Sequence, residues 1–226
     1  MRVPSEGQWT FESKDVADEF DAHVREQLPW YDLVTNTVAH IARHYIPQGG
    51  LVYDIGASTG NIGRAIATTL HDRNARLVAI EKSNEMAKKY NAPGQLLVCD
   101  AIDFQYEPYD FGVLFLSTIF MERNIRGGLI SKLQECMKPG GAIVMVERME
   151  AGAGYPSTIS ARLTLANKLA AGALPEDIIA KELSLSGIQR PLSSSELPSG
   201  SVEFFRLGDF AGWLIEKETS NATQAA

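Results

Sequence analysis

The residues with the clearest capacity to bind a ligand lie in segment 51–63, LVYDIGASTGNIG, where an apolar stretch leads into an acid and then into glycines. Glycines let the backbone approach a ligand where a Cβ would collide, and amides at the start of a following helix can donate to it. The order Asp54-x-Gly56-x-x-x-Gly60 differs from the G-x-G-x-x-G order of dinucleotide-binding turns. The Asp54 carboxylate favours a ligand with a cationic group. A tight turn that needs glycine only for its shape is the alternative.

Two further apolar stretches also end in an acid. Segment 76–81 ends at Glu81, which follows Gly63 at close to the ~20-residue spacing expected for a carboxylate that binds ribose hydroxyls. Segment 96–101 brings Asp100 to a strand end, where an adenine amino group could donate to it. These acids predict an adenosyl ligand with a cationic group, and S-adenosylmethionine (SAM) is the candidate that meets both requirements.

The elements that must position these acids alternate along the chain. Apolar segments at 51–54, 76–81, 95–100, 111–116 and 142–147 predict strands, and helical segments separate them. This alternation is typical of a parallel sheet covered on both faces. Two helices precede it, one ending at Pro29 and one over 31–45, and Lys138-Pro139-Gly140-Gly141 is predicted to end the helix before the fifth strand.

The pattern changes after Glu147. Segments 157–171 and 175–185 predict helices that cover a sheet edge, or that act as a lid or a dimer contact. Segment 202–216 predicts an antiparallel hairpin. We therefore expect a single domain with five parts: a helical cap at 1–47, a ligand-binding core at 48–150, a helical insert and loop at 151–200, a hairpin at 201–217 and a tail at 218–226.

Composition narrows the function classes. The 226 residues, 45% of them hydrophobic, suffice for one good core. The net charge of −7 argues against a broad nucleic-acid patch and against attraction to an anionic membrane. Cys99 and Cys136 have neither metal-ligand nor disulfide-framework spacing, so we predict a cytoplasmic protein without a metal site.

The chain resembles the class I SAM-dependent methyltransferases in its strand order and in Val52-Tyr53-Asp54-Ile55-Gly56. Within them it is similar to the bacterial carboxy-SAM synthases, which serve tRNA wobble-uridine modification. That similarity includes Trp9-Thr10-Phe11-Glu12, Pro29-Trp30-Tyr31 and Ala79-Ile80-Glu81-Lys82-Ser83. The resemblance implies an α/β, Rossmann-like fold with a seven-stranded, mostly parallel, doubly wound sheet and a terminal antiparallel hairpin.

The resemblance also implies a pocket for SAM or a SAM derivative. Its residues would be Tyr31, Gly56, Ala57, Ser58, Glu81, Lys82, Asp100 and Ala101, with Tyr31 at the methionine end. The residue pattern adds Asp54 and Gly60 from the turn, and Leu116 and Ser117 where the family has an asparagine after strand four.

One departure concerns the arginine with which the family holds the extra carboxylate of carboxy-SAM. By hand alignment that arginine falls near Glu182, and like charges repel, which argues against carboxy-SAM synthesis. Arg190 or Arg206 could supply the missing charge.

Methyl transfer needs alignment more than acid–base chemistry, but a hydroxyl acceptor needs a base, and the candidates are Glu147, Tyr31 and Glu122. Among the histidines only His23 lies close to the entry loop. The aromatic residues of the N-terminal segment either pack in the core or, through Trp9 and Trp30, line an acceptor pocket.

Three functions stay open. The first is a methyltransferase for a small-molecule or RNA-linked acceptor. The second is an enzyme that makes a modified SAM, as the resemblance implies, and the third is a SAM-binding regulatory module without catalysis. A homodimer is compatible with each.

Overall fold

The computed structural model describes residues 10–218. Trp9, the other residues before Thr10 and residues 219–226 of the predicted tail lie outside the described residues. The helices are α1 (Lys14–Gln27), α2 (Tyr31–Tyr45), α3 (Asn61–Ala65), α4 (Ala67–Asp72), α5 (Asn84–Ala87), α6 (Arg123–Cys136), α7 (Tyr155–Ala170) and α8 (Pro175–Ser184). The strands are β1 (Leu51–Ile55), β2 (Arg76–Glu81), β3 (Gln95–Val98), β4 (Tyr109–Phe115), β5 (Met137–Arg148), β6 (Val202–Leu207) and β7 (Phe210–Glu216).

The strands form one seven-stranded sheet in the order β3-β2-β1-β4-β5-β7-β6. The first five strands of this order run parallel, and β7 is antiparallel to both β5 and β6. This confirms the predicted sheet and its terminal hairpin. Every residue of β1 is buried, Asp54 included, as expected of a mainly apolar strand with helices on both faces.

Strand boundaries differ from the predicted ones at two places. β5 begins at Met137 rather than at residue 142, because Met137 already pairs with Tyr109 before a register shift brings Ala142 opposite Phe111. The segment that was predicted to end a helix therefore lies inside a strand. β3 ends at Val98, so Asp100 lies two residues beyond the strand, in the loop that follows it.

The N-terminal helix α1 is fastened to the glycine turn. Asp21 Oδ1 accepts from Thr59 Oγ1 at 2.6 Å, and Asp21 Oδ2 accepts from Arg64 Nη2 at 3.1 Å. Arg25 Nη2 donates to Asn61 Oδ1 at 3.3 Å. These contacts place α1 over the carboxyl end of β1.

A buried arginine joins α6 to the loop that follows α8. The Arg126 side chain is 0% exposed and binds Glu196 through Nε at 2.6 Å and Nη2 at 2.5 Å. It also donates to the carbonyl oxygens of Arg190 and Pro191. The two-pronged pairing satisfies a charge that would be costly to bury alone. Within residues 10–218, none of the helices has the combination of length and apolarity that crossing a bilayer requires.

Candidate functional site: a cavity at the strand ends

A cavity of about 750 Å³ lies at the carboxyl ends of β1, β2 and β4, between α1 and the helical insert. In a parallel sheet this edge is the usual position of a ligand site. Eleven of the twelve predicted ligand-binding residues line its wall, and Gly60 does not. The sequence therefore identified most of one wall of the cavity.

The two glycines of the turn serve different purposes. Gly56 has φ +77°, and a Cβ there would lie 2.6 Å from Ser117 Cβ, so the turn touches the loop after β4. Gly60 has φ +89°, and its Cβ would lie 2.7 Å from Ala92 Cβ. The prediction that Gly60 binds ligand is wrong, because its missing side chain makes room for Ala92 rather than for the cavity.

The backbone amides of the turn bond to β2. Gly56 N and Ala57 N both donate to Ile80 O, at 2.8 and 3.0 Å, and Ser58 N donates to Glu81 Oε2 at 2.7 Å. These three amides are therefore paired within the fold. The amides at the start of the following helix, which the sequence predicts as ligand donors, are a different group, and their role stays a prediction.

Four side chains of the cavity wall have buried polar atoms without a hydrogen-bond partner in the described chain: Asp54 Oδ2, Ser58 Oγ, Ser117 Oγ and His23 Nδ1. Buried polar atoms are normally paired, and the first three lie together at the strand ends, so they mark a place where a polar ligand would complete the bonding. Burial, reinforced by the nearby Glu81 carboxylate, raises the pKa of Asp54 from 3.8 to about 7. A cationic ligand would stabilise the ionised form, and the wall therefore fits the cationic end of SAM.

Glu81 and Asp100 are held in place differently. Glu81 accepts from Ser58 N and, through Oε1, from Ser83 N at 2.8 Å, while burial raises its pKa. Asp100 Oδ2 accepts from Lys82 Nζ at 2.7 Å. Burial alone would raise the pKa of Asp100, but the Lys82 ammonium holds it below the usual value. Two backbone amides thus orient the Glu81 carboxyl group as a hydrogen-bond acceptor, and Lys82 keeps the Asp100 carboxyl group ionised.

Two solved structures with the same architecture are described as methyltransferases. Human N-acetylserotonin methyltransferase in complex with SAM superposes with a TM-score of 0.58 at 14% identity, covering 96% of this chain and 61% of that one. A Methanococcus maripaludis protein, described as a candidate SAM-dependent methyltransferase, gives a TM-score of 0.57 at 17% identity and covers 98% and 100%. The chain has the class I methyltransferase fold.

Two sequence relatives of this methyltransferase-fold chain share the name carboxy-S-adenosyl-L-methionine synthase. The Staphylococcus epidermidis carboxy-S-adenosyl-L-methionine synthase is 28% identical over 191 residues, which cover 82% of this chain and 83% of that protein. The Shigella boydii protein of the same name is 28% identical over 151 residues, and the match spans 61% of its length. No family model matches the chain. The predicted resemblance to carboxy-SAM synthases is confirmed at this level of identity.

Glu147, a predicted base, does not line the cavity of the methyltransferase fold. It is 0% exposed, and its Oε1 accepts from Ser117 N at 3.1 Å and Thr118 N at 2.8 Å. Burial raises the pKa of Glu147 to about 7. Its position corrects the catalytic prediction: Glu147 is buried outside the cavity wall and shapes the loop after β4.

The other two predicted bases line the cavity. Burial raises the pKa of the Tyr31 phenol, which disfavours its ionised form. The Tyr31 ring packs edge-on against Phe115 at 5.3 Å. Glu122 is exposed, and Arg123 pairs with Glu150 and Glu196 rather than with it.

The aromatic residues divide between core and cavity. Trp30 is 5% exposed and packs on Phe205 and Phe210, with ring centroids at 5.1 and 5.0 Å. Trp30 does not line the cavity and packs in the core, which agrees with the first of the two predicted alternatives, whereas Phe11 and Phe20 line the wall.

The sequence did not predict three basic residues of the cavity wall, two on the insert and one at the end of β5. Lys168, Lys181 and Arg148 line the cavity together with Glu182. Arg190 also lines it, while Arg206 instead pairs with Glu203 on β6. No local motif marks these residues, because an isolated lysine on a helix normally faces solvent. His23, which the sequence singled out, lies in the same wall.

Proposed function

We propose that this protein is a SAM-dependent methyltransferase that acts on a small or medium acceptor. The observation that carries the proposal is the group of unpaired buried polar atoms on Asp54, Ser58 and Ser117, in the wall that also contains Glu81 and Asp100. Carboxylates and other hydrogen-bond acceptors at this place in a methyltransferase fold fit a ligand with an ammonium, a sulfonium, ribose hydroxyls and an adenine amino group.

Each acid has a proposed role toward that ligand. Asp54 faces its cationic end, Glu81 accepts from the ribose hydroxyls, Asp100 accepts from the adenine amino group, and Tyr31 borders the methionine end. SAM supplies a methyl group on a positively charged sulfur, and the acceptor's lone pair forms the new bond as the carbon–sulfur bond breaks. The protein's main contribution is alignment, for which effective molarities of ~10⁵ M or more are known.

Calorimetry with SAM and with its demethylated product, S-adenosylhomocysteine, tests the binding proposal. Glu81→Lys places an ammonium against the ribose and should abolish the heat. Asp72→Lys reverses a charge on the exposed surface of α4, where the Asp72 side chain is 65% exposed, and should leave it unchanged. Absence of heat with either compound for the unmodified protein contradicts the proposal.

The sequence likeness favours a second candidate, an enzyme that modifies SAM as carboxy-SAM synthases do. Glu182, which aligns near the family's arginine, is bound by Lys168 Nζ at 2.6 Å, so its charge is compensated. Mass spectrometry of SAM incubated with the protein and cell extract distinguishes the candidates. A heavier SAM without any methylated acceptor supports the second, and binding without either product supports a regulatory module.

Partner and location proposals follow the same function. The proposed acceptor is a small molecule, or a group linked to RNA that contacts the protein only at a local site, because the net charge of −7 does not favour a broad nucleic-acid surface. Exposed apolar side chains of the insert support a homodimer. These side chains are Tyr155, Ile159, Leu165, Leu169, Leu174, Ile179 and Leu183. Light scattering in solution tests for the dimer. We also propose a cytoplasmic location, which imaging of the tagged protein tests.

A further inference from the structure

A histidine and a lysine meet in the cavity wall, on different helices. His23 of α1 is 8% exposed, and its Nε2 is hydrogen-bonded to Lys181 Nζ of α8. The other ring nitrogen, Nδ1, is buried and has no hydrogen-bond partner in residues 10–218. The wall therefore contains a polar atom of His23 that no protein group satisfies, next to an amine.

The Glu182 carboxylate favours the charged form of Lys181, but its effect on the Lys181 pKa is smaller than the opposing effects of burial and of Lys168. Lys168 on α7 is paired with Glu182 on α8 at 2.6 Å, and Arg148 on β5 lies 3.7 Å from Asp209. Within the described part of the chain, Lys181 has no carboxylate within 4.0 Å. Burial, and then the charge of Lys168, lowers the pKa of Lys181 to about 8. Burial, and then the charge of Lys181, lowers the pKa of His23 to about 3.

The hydrogen-bond chemistry of the pair changes with the charge of Lys181. A charged ammonium can only donate, so Nε2 then accepts and Nδ1 carries the hydrogen of the neutral ring. Once the amine is neutral, Nζ can accept from Nε2–H, and Nδ1 becomes an acceptor in the cavity wall. A neutral Lys181 therefore prepares His23 Nδ1 to receive a hydrogen from a bound molecule.

We propose that His23 and Lys181 together accept the proton of the methyl acceptor, whose nucleophilic atom is therefore a hydroxyl oxygen or an amine nitrogen that carries a hydrogen. The inference rests on the proposed methyltransferase function. The acceptor's proton moves to His23 Nδ1, the proton on Nε2 moves to Lys181 Nζ, and the electron pair stays on the acceptor atom to form the new bond. The ammonium returns its proton to solvent after the product leaves.

Amine reactivity tests the pair without requiring methyl transfer. Trace labelling with acetic anhydride across a pH series, followed by mass spectrometry, reports the protonation of each lysine. Lys181 should become reactive with a midpoint near pH 8, well below that of Lys14, whose pKa Asp18 raises above 10.5 on the surface of α1. Lys168→Met removes a cation and frees Glu182, so it should move the Lys181 midpoint upward. A labelling midpoint for Lys181 near the ordinary lysine value of 10.5 would overturn the proposal, and so would a complete lack of Lys181 labelling.

Methyl transfer tests the role directly. With SAM labelled on its methyl group and a small-molecule extract as the acceptor source, the rate should rise with pH, with a midpoint near pH 8, and level off above it. Lys181→Met and Lys181→Arg should each lower transfer by at least ~100-fold, because removal of a general base costs 10²–10⁴-fold. The arginine variant keeps the positive charge, so a purely structural role would be rescued by it.

The control variant is Lys14→Met, which removes an exposed lysine from the helix that carries His23 and should leave transfer unchanged. Calorimetry should show the same SAM affinity for all variants. Equal transfer by Lys181→Arg and the unmodified protein would overturn this inference and leave the proposed function intact. Failure of the unmodified protein to bind SAM or to transfer methyl would overturn both.

Discussion

Replacing Asp54 by asparagine should stabilise the ligand-free protein at alkaline pH while it abolishes SAM binding. The Asp54 side chain is 2% exposed, and its Oδ2 has no hydrogen-bond partner in the described chain. Its pKa in the folded protein is about 7, against an ordinary value of 3.8. An acid with a raised folded pKa stabilises the fold fully below its unfolded pKa, and this contribution is lost as the pH rises through the folded pKa.

The magnitude follows from the two pKa values. One pKa unit corresponds to about 1.4 kcal/mol, so ionisable Asp54 costs the fold roughly 1.5 kcal/mol at pH 5 and about 4 kcal/mol at pH 8. An asparagine side chain does not titrate, so its contribution to the unfolding free energy does not change with pH. The difference in unfolding free energy between Asp54→Asn and the unmodified protein should therefore grow by about 2–3 kcal/mol over this range. Glu147, whose pKa burial also raises to about 7, is present in both proteins and cancels.

The assay is urea unfolding followed by tryptophan fluorescence, at several pH values from about 5 to about 8. A second series contains SAM, which at a hundred times its dissociation constant should add about 2.7 kcal/mol to the unmodified protein and much less to Asp54→Asn. A stability difference that stays constant with pH would refute the reasoning, because it would mean that the carboxylate is not desolvated in the fold.

Three further predictions concern the turn, the core and α1. Gly56→Ala should abolish SAM binding, because the added Cβ would lie 2.6 Å from Ser117 Cβ. The control is Gly49→Ala: Gly49 has a similar φ of +68°, but an added Cβ there would have no atom within 4 Å. Calorimetry should show unchanged SAM binding for this control. Trp30→Ala should lower the unfolding free energy by about 3–5 kcal/mol without changing SAM affinity, since Trp30 packs on Phe205 and Phe210 outside the cavity; a selective loss of affinity would contradict this. Asp21→Asn should weaken the contacts of α1 with Thr59 and Arg64 by about 1 kcal/mol and speed hydrogen exchange over 14–27, whereas exposed Asp15→Asn on the same helix should not.

Local patterns in the sequence were sufficient for the sheet. Mainly apolar segments such as Leu51–Ile55 mark strands buried on both faces, and the helical segments between them require parallel connections. Strand ends were less predictable. Lys138-Pro139-Gly140-Gly141 has the composition of a helix stop, but pairing of Met137 with Tyr109 extends β5 through it, and that pairing depends on a residue far away in sequence.

The acids at the strand ends were predictable for the same reason as the sheet: parallel strands bring their carboxyl ends to one edge, so Asp54, Glu81 and Asp100 had to meet. The roles of neighbouring residues were not predictable. Gly60 has the composition of a ligand-binding turn but faces Ala92, and Glu147 ends a strand as the other acids do but accepts from Ser117 N and Thr118 N.

The sequence by itself determined the succession of strands and helices along the chain, the acidic edge and the likeness to carboxy-SAM synthases, because each depends on local patterns or on strands that follow one another. Only the tertiary structure decided which groups share the cavity with that edge. His23 and Lys181 are 158 positions apart, and no local pattern links them. Their contact exists because α1 and α8 both pack over the same end of the sheet, and burial there changes the proton affinity of both side chains.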